Sequence, residues 1–348
     1  MIRSWLFEFL HAPGFPDTED TPEVTAASFE QNLAIWEDCE RLGFEGIFFS
    51  EHHFIGYSNS PSPNLLIAAA SQRTTRLRLG VMGNVLPFYE PWRVLEEIGM
   101  LDHLTRGRLE VGFAAGIPQE ISSVGLTSAE ARELFDEMLE ILVKGLLEGS
   151  ITHHGKHWNF DNFRIYPKPR QQPSPPRWTT IVSEGSARKS ARRDTAICTS
   201  FQSVESIAAI FDAYREEAAR SGNAFGPDRL AIRRNVSIAP TEDAAREMRA
   251  NARETARSLM AGDTRVRPQE SGLLDAPSKN NGFTVHDDEF IAGTPAQVAE
   301  QIADQCRRCG AGHFVATLAR GAESQRPGAV KLFGEKVVPV LRQATLDA

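Results

Sequence analysis

The chain has few cysteines, no long apolar run and no excess of positive charge, and each shortage excludes something. Four cysteines in 348 residues cannot build the disulfide framework of a small secreted scaffold, which makes a reducing cytoplasm the default compartment. No stretch approaches the roughly 20 apolar residues that span a bilayer, so no membrane partner is expected. The first residues, Met1-Ile2-Arg3-Ser4-Trp5-Leu6-Phe7-Glu8, break their apolar run with charge and offer no small-residue cleavage site, unlike a signal peptide. Lys and Arg number 38 against 46 Asp and Glu, a net charge of −8. Without a basic field, nucleic acid is not an expected partner. No G-x-G-x-x-G follows a strand-like run and there is no P-loop, so a nicotinamide site of the usual kind is absent.

The composition, 41% hydrophobic and 24% charged, is that of a globular protein. Short apolar runs at 5–10, 46–49, 77–81, 109–113, 178–182, 196–199, 230–238 and 313–318 are apolar on both faces, as buried parallel strands are. Between them Phe29, Leu33, Trp36 and Cys39 keep helical spacing, as do Leu134, Met138, Ile141 and Leu142. Thr127 three residues before Glu130, and Thr294 three before Gln297 with Pro295 between, are capping boxes that mark helix starts. Eight strands alternating with helices, and no second core-sized block, indicate a single domain over 1–348, a (β/α)8 TIM barrel with insertions. A doubly wound sheet is the alternative, because alternation alone does not establish closure. The insertions are 149–177, rich in proline, and 261–292, polar and expected to form a mobile lid loop.

Barrel enzymes place their chemistry at the C-terminal ends of the strands. The second strand runs straight into Ser50-Glu51-His52-His53-Phe54, a carboxylate and two imidazoles. Histidine titrates near neutrality, and an adjacent acid can fix its tautomer. The bland alternative has one ring packed and the other solvated. The third strand ends in Met82-Gly83-Asn84 and the fourth in Ala114-Ala115-Gly116, small residues that suit the close approach of a flat ligand or a plain turn. After the fifth, Ser183-Glu184-Gly185-Ser186 opens a helix, where free N–H groups and two hydroxyls form an anion cradle. Arg132, in the first turn of another helix, is a candidate cationic clamp. Trp5, Phe7, Phe9, Phe54, Tyr57, Phe88 and Trp92 either line an apolar pocket or belong to the core. His153, His154 and His157 lie between turn signals without a carboxylate or cysteine at ligand spacing, so no metal is expected there. Cys306 and Cys309 share a helical face with Val298 and Ile302, which reads as core rather than a redox pair.

Glu51-His52-His53-Phe54 after an apolar strand, Leu86-Pro87-Phe88-Tyr89-Glu90-Pro91 continuing through Met100-Leu101-Asp102-His103-Leu104 to Gly107-Arg108-Leu109, Gly155-Lys156-His157-Trp158 with Tyr166-Pro167-Lys168-Pro169, and Gly293-Thr294-Pro295 together resemble the bacterial-luciferase-like family of flavin-dependent monooxygenases. The similarity runs from about Phe7 to Phe333 and implies that the 149–177 insertion is a hairpin. It implies a two-component enzyme that binds FMN as FMNH2 from a separate NAD(P)H:flavin reductase, activates O2 as a C4a-peroxyflavin, and oxygenates a small organic substrate by Baeyer–Villiger insertion or hydroxylation. It implies that His52 is catalytic with Glu51 in support, that Met82-Gly83 carries a non-prolyl cis peptide under the flavin, and that Asn84 lies near its polar edge. Arg132, Ser183, Glu184, Gly185 and Ser186 would hold the FMN phosphate. Ala114 and Ala115 depart from luciferase proper, which has a reactive cysteine and a phosphate-binding arginine there, so light emission is not expected. A homodimer through helices near the second and third strands is implied by resemblance alone. The rival readings are a deazaflavin (F420)-dependent oxidoreductase of the same superfamily, a non-catalytic flavin-binding protein, and a metal-dependent barrel hydrolase using Glu51, His52 and His53 as ligands.

Overall fold

A computed structural model describes residues 1–11, 21–54, 58–260, 285–318 and 326–346. Twelve strands follow in chain order: β1 Arg3–Glu8, β2 Gly46–Phe49, β3 Arg78–Val81, β4 Asn84–Val85, β5 Leu109–Ala114, β6 Ser150–His154, β7 Asn159–Arg164, β8 Arg177–Thr180, β9 Ala196–Thr199, β10 Leu230–Ile238, β11 Phe290–Gly293 and β12 His313–Leu318. Eight of them, β1, β2, β3, β5, β8, β9, β10 and β12, pair in that order, all parallel. The ring closes where β12 returns to β1, Arg3 opposite His313. The chain is therefore a (β/α)8 barrel with insertions, and the doubly wound alternative falls. Among the described residues no helix is long and apolar enough to cross a membrane.

Alternation along each strand sorts the side chains. Trp5, Phe7, Phe48, Met82, Trp178, Cys198, Ala231 and Val315 fill the barrel, while Leu6, Ile47, Phe49 and Ile232 point outward to the helices. The helix Pro22–Arg41 presents Ile35, Trp36 and Cys39 to that outer layer. The helix Ser128–Glu148 begins in the expected capping box: Thr127 Oγ1 accepts from Glu130 N at 3.2 Å, and Glu130 accepts from Thr127 N at 2.8 Å. Thr294 and Gln297 cap Pro295–Cys309 in the same way.

Two strands, β4 and β11, lie outside the sequence reading, whereas the hairpin implied by the resemblance is present. β4 is two residues long and pairs beside β5. β6 and β7 make an antiparallel hairpin inside the 149–177 insertion, which also holds cis Pro167 and cis Pro173. β11 pairs with the upper half of β10. It shortens the expected lid, since 285–292 is a turn followed by strand; residues 261–284 of that loop, and Tyr57, lie outside the described residues.

The floor of the barrel is polar. Glu110, 4% exposed, pairs with Arg78 and accepts from Trp178 Nε1 at 2.6 Å. Trp5 Nε1 donates to His313 Nδ1 at 2.8 Å, and Arg3 stands on the ring's other nitrogen. Burial first, and the Arg3 charge second, push the His313 imidazole from 6.5 down to about 3. In the unfolded chain it titrates near 6.5. Between those values the unfolded state binds more protons, so stability falls as pH drops from 6.5 towards 3. Urea unfolding at pH 7 and pH 4.5 checks this: the native chain should lose about 2 kcal/mol more than His313→Gln over that interval. Equal losses would refute it.

Candidate active site

β2 is buried to its last residue and delivers the Glu51-His52-His53 turn to the barrel mouth. Two bonds pin the turn: Ser60 Oγ donates to Ser50 O at 2.5 Å and His52 N donates to Ser60 O at 3.1 Å. Glu51, 4% exposed, is surrounded by His53 Nε2 at 3.0 Å, Asn84 Nδ2 at 3.1 Å and Tyr89 Oη at 2.9 Å. The hydrogen bond to Glu51 raises the proton affinity of His53 above the ordinary value, against partial burial. Burial, then the charge of Glu51, pushes the Tyr89 phenol far up, so Tyr89 remains a donor.

The acid recorded at His52 is a different one. Glu120 Oε1 lies 2.9 Å from His52 Nδ1 and accepts from His53 N at 3.1 Å. Glu120 is 1% exposed and stands in the first turn of the short helix Pro118–Ser123, directly after β5. The His52 ring lies flat on Phe9, centroids 5.0 Å apart at 7°, and Phe9 stacks in turn on His11 at 5.0 Å and 22°. Sequence reasoning missed Glu120 and Glu8. The available signals were a proline-led turn at the exit of a buried strand, and a carboxylate closing the apolar run of β1. Glu8, 1% exposed, accepts from Trp36 Nε1 at 2.7 Å and Leu10 N at 2.8 Å and pairs with Arg326, which fixes the strand end that carries Phe9.

The Met82–Gly83 peptide is cis, and Asn84 begins β4 beside it, its amide nitrogen on Glu51. A Cβ on Gly83 would stand 2.5 Å from Phe113 N, so only glycine permits β3 and β5 to approach there. Across the mouth, Arg233 sits over the rings of Phe7 (5.4 Å) and Phe201 (4.7 Å) and binds Glu289 at 2.7 Å. Of the other aromatics that the sequence offers, Trp5 is core, Phe88 meets His53 edge-on, Phe54 is 64% exposed, and Trp92 sits on a peripheral helix.

Ser183 caps the helix Glu184–Arg192: its Oγ accepts from Ser186 N at 3.3 Å and lies 3.1 Å from Ser186 Oγ. Ser183 and Glu184 line an open cleft of about 460 Å³ with Gln202, Ser203 and His286. A Cβ on Gly185 would meet nothing within 4 Å, so the helix start is open. Arg132 is exposed and stacks on Phe135 at 5.7 Å. Asp136, one turn on from Arg132, binds Lys189 at 2.8 Å and Arg193 at 3.1 Å, which ties this helix to the one that Ser183 caps. Open N–H groups, two hydroxyls and a guanidinium are a donor set that fits a phosphate-bearing flavin. Glu184 is exposed, leaving its backbone N–H as the useful group.

The hairpin histidines have local partners. Glu137 takes His153 Nε2, His157 N and Trp158 N, each at 3.1 Å, and His154 pairs with Asp161 at 3.3 Å. Among the described residues no group of three His, Cys, Asp or Glu side chains is arranged for a metal ion. Cys306 and Cys309 are buried free thiols in the core, and burial raises both.

The sequence model of the family described as luciferase-like monooxygenase matches residues 9–313. Protein y4wF of Sinorhizobium fredii is 30% identical over 315 residues, 88% of this chain and 90% of that one. The oxygenase component of a flavin-dependent trigonelline monooxygenase from Acinetobacter baylyi is 30% identical over 173 residues, 49% of this chain and 47% of that protein. Among solved structures, monooxygenase RslO1 of Streptomyces bottropensis superposes with TM-score 0.83 at 24% identity, covering 97% and 99% of the two chains. The oxygenating constituent of 3,6-diketocamphane monooxygenase from Pseudomonas putida, with FMN, gives 0.77 at 22%, covering 97% and 98%. An F420-dependent secondary alcohol dehydrogenase gives 0.74 at 17%, covering 98% and 99%. The chain belongs to the luciferase-like monooxygenase family, a family of flavin-dependent enzymes.

Removing the acceptor at the centre of the Glu51 cluster leaves three donors unmatched, Asn84 buried and His53 and Tyr89 half-buried. Glu51→Ala should cost about 3 kcal/mol or more of unfolding free energy, and Tyr89→Phe, which removes one donor, about 1 kcal/mol. Urea titration measures both; equal costs would show that Glu51 does not hold the cluster together.

Proposed function

We propose that this chain is the oxygenase of a two-component system. It takes reduced FMN from a separate NAD(P)H:flavin reductase and, with O2, oxygenates a small organic substrate by Baeyer–Villiger insertion or hydroxylation. The observation that carries the reading is the pairing of two histidines with two buried carboxylates, His52 with Glu120 and His53 with Glu51, at the mouth of a barrel whose rim also holds an open anion cradle. The Acinetobacter relative, named as an oxygenase component, supports a separate reductase.

In this reading Ser183, Gly185 and Ser186, with the backbone N–H of Glu184 and the Arg132 guanidinium, hold the phosphate. Met82, Gly83 and Asn84 border the ring. When bound, reduced FMN supplies the two electrons that activate O2. His52 holds or returns the proton at the reacting oxygen, and Glu51 keeps His53, Asn84 and Tyr89 in place. The aromatic walls, Phe9 and Phe7 among them, exclude water. Exposed Leu65, Met100 and Leu104 on the helices Pro63–Arg73 and Pro91–Leu104 support a homodimer through that face.

Mixing the anaerobic protein and FMNH2 with oxygenated buffer tests the reading. Bound flavin should oxidise through a transient whose absorbance and lifetime differ from those of free FMNH2. Oxidation identical to that of free flavin, together with tight F420 binding, would favour the deazaflavin alternative. His52→Ala should keep flavin binding and divert oxygen to hydrogen peroxide; unchanged coupled turnover refutes its role. Arg132→Ala should weaken FMN binding about tenfold, or about 1.4 kcal/mol, by equilibrium dialysis.

A further inference from the structure

We propose that Glu120 is the positioning residue of this site: one of its carboxylate oxygens decides which ring nitrogen of His52 carries the proton. The proposal rests on the reading above only in giving that ring a proton to manage. A carboxylate has no hydrogen to donate, so the contact of Glu120 Oε1 with His52 Nδ1 at 2.9 Å is a hydrogen bond only if Nδ1 bears the proton. The neutral ring then carries its lone pair on Nε2, which is the tautomer a free histidine side chain in water populates less. The same Oε1 accepts from His53 N at 3.1 Å, so the oxygen that selects the tautomer also fixes the backbone step that follows His52.

Among the described residues no lysine or arginine is paired with Glu120, which is 1% exposed. Glu51 is occupied by His53 Nε2, Asn84 Nδ2 and Tyr89 Oη. Phe9 restrains the ring from its face and Glu120 from its edge, so the two contacts together set both ring plane and proton position.

Nitrogen NMR of the protein labelled at its nine histidines, with His52 assigned by its loss in His52→Gln, reads the tautomer directly. Recorded at a pH high enough that the ring carries a single proton, the native chain should show that proton on Nδ1. Glu120→Ala should lose that form in favour of protonated Nε2, and Glu120→Gln, whose amide can either accept or donate, should average the two. A native His52 carrying its proton on Nε2 overturns the proposal whether or not the variants fold, and so does an Nδ1 proton that survives in Glu120→Ala. In FMNH2 and oxygen mixing, Glu120→Gln should bind flavin as the native chain does and release more hydrogen peroxide. The two readings fail separately. A native chain with protonated Nδ1 that oxidises FMNH2 no differently from free flavin ends the monooxygenase reading and leaves the assignment of Glu120. A chain that passes the oxygen test with protonated Nε2 ends the assignment alone.

Discussion

Two carboxylates, Glu51 and Glu120, are buried at the mouth of this barrel with only histidines as potential counter-charges among the described residues. A buried carboxylate left unmatched is unfavourable by several kcal/mol, and here no lysine or arginine compensates it. Hydrogen bonds do so instead: three converge on Glu51 and two on Glu120. The donors are the groups the site is made of, namely both histidine rings, the backbone N–H of His53, the amide of Asn84 and the hydroxyl of Tyr89. Satisfying the acids and ordering the site are therefore one and the same condition. Loss of either acid would remove the hydrogen-bond acceptor that orients these side chains.

The barrel makes this arrangement possible by bringing distant segments to one rim. His52 and Glu120 are 68 residues apart and meet because β2 and β5 flank β3 in the closed ring. β1 contributes Phe9, and its end is fixed from the outside by Glu8, Trp36 and Arg326. On the far wall Glu289 gathers Arg233, Arg234, Asn235 and the backbone of Phe201, joining the start of β11 to the exit of β9. Charged groups at the rim are thus cross-linked rather than solvated. Those that remain open, the helix start at Ser183 and the exposed Arg132, are the ones suited to an external anion.

The barrel was legible because its parallel strands are apolar on both faces, and all eight predicted runs became its staves to within a few residues. The Glu51-His52-His53 turn was legible because it interrupts that apolarity at a strand exit. What sequence could not convey was pairing. Adjacency pointed to Glu51 as the partner of His52, yet neighbours on an extended turn project to opposite sides, and Glu51 turns instead to His53, two residues on. Glu120 lies on a six-residue helix, too short to show a period, and its relation to His52 exists only after closure. β11 was missed for a similar reason: four residues bounded by polar turn carry no signal of their own and become strand by pairing with an overlong β10.

The distribution of charge around the rim also bears on orientation. The two acids and their histidines occupy the wall formed by β2, β4 and the turn after β5, whereas the open N–H groups at Ser183–Ser186 and Arg132 belong to the side of β8. In the proposed reading the N–H groups of Glu184 and Gly185, at the positive end of a helix, and the Arg132 guanidinium take the charged arm of a flat, phosphate-bearing molecule. Its ring then lies toward Gly83 and the imidazoles, and the small residues Ala114 and Ala115 at the end of β5 add neither charge nor bulk.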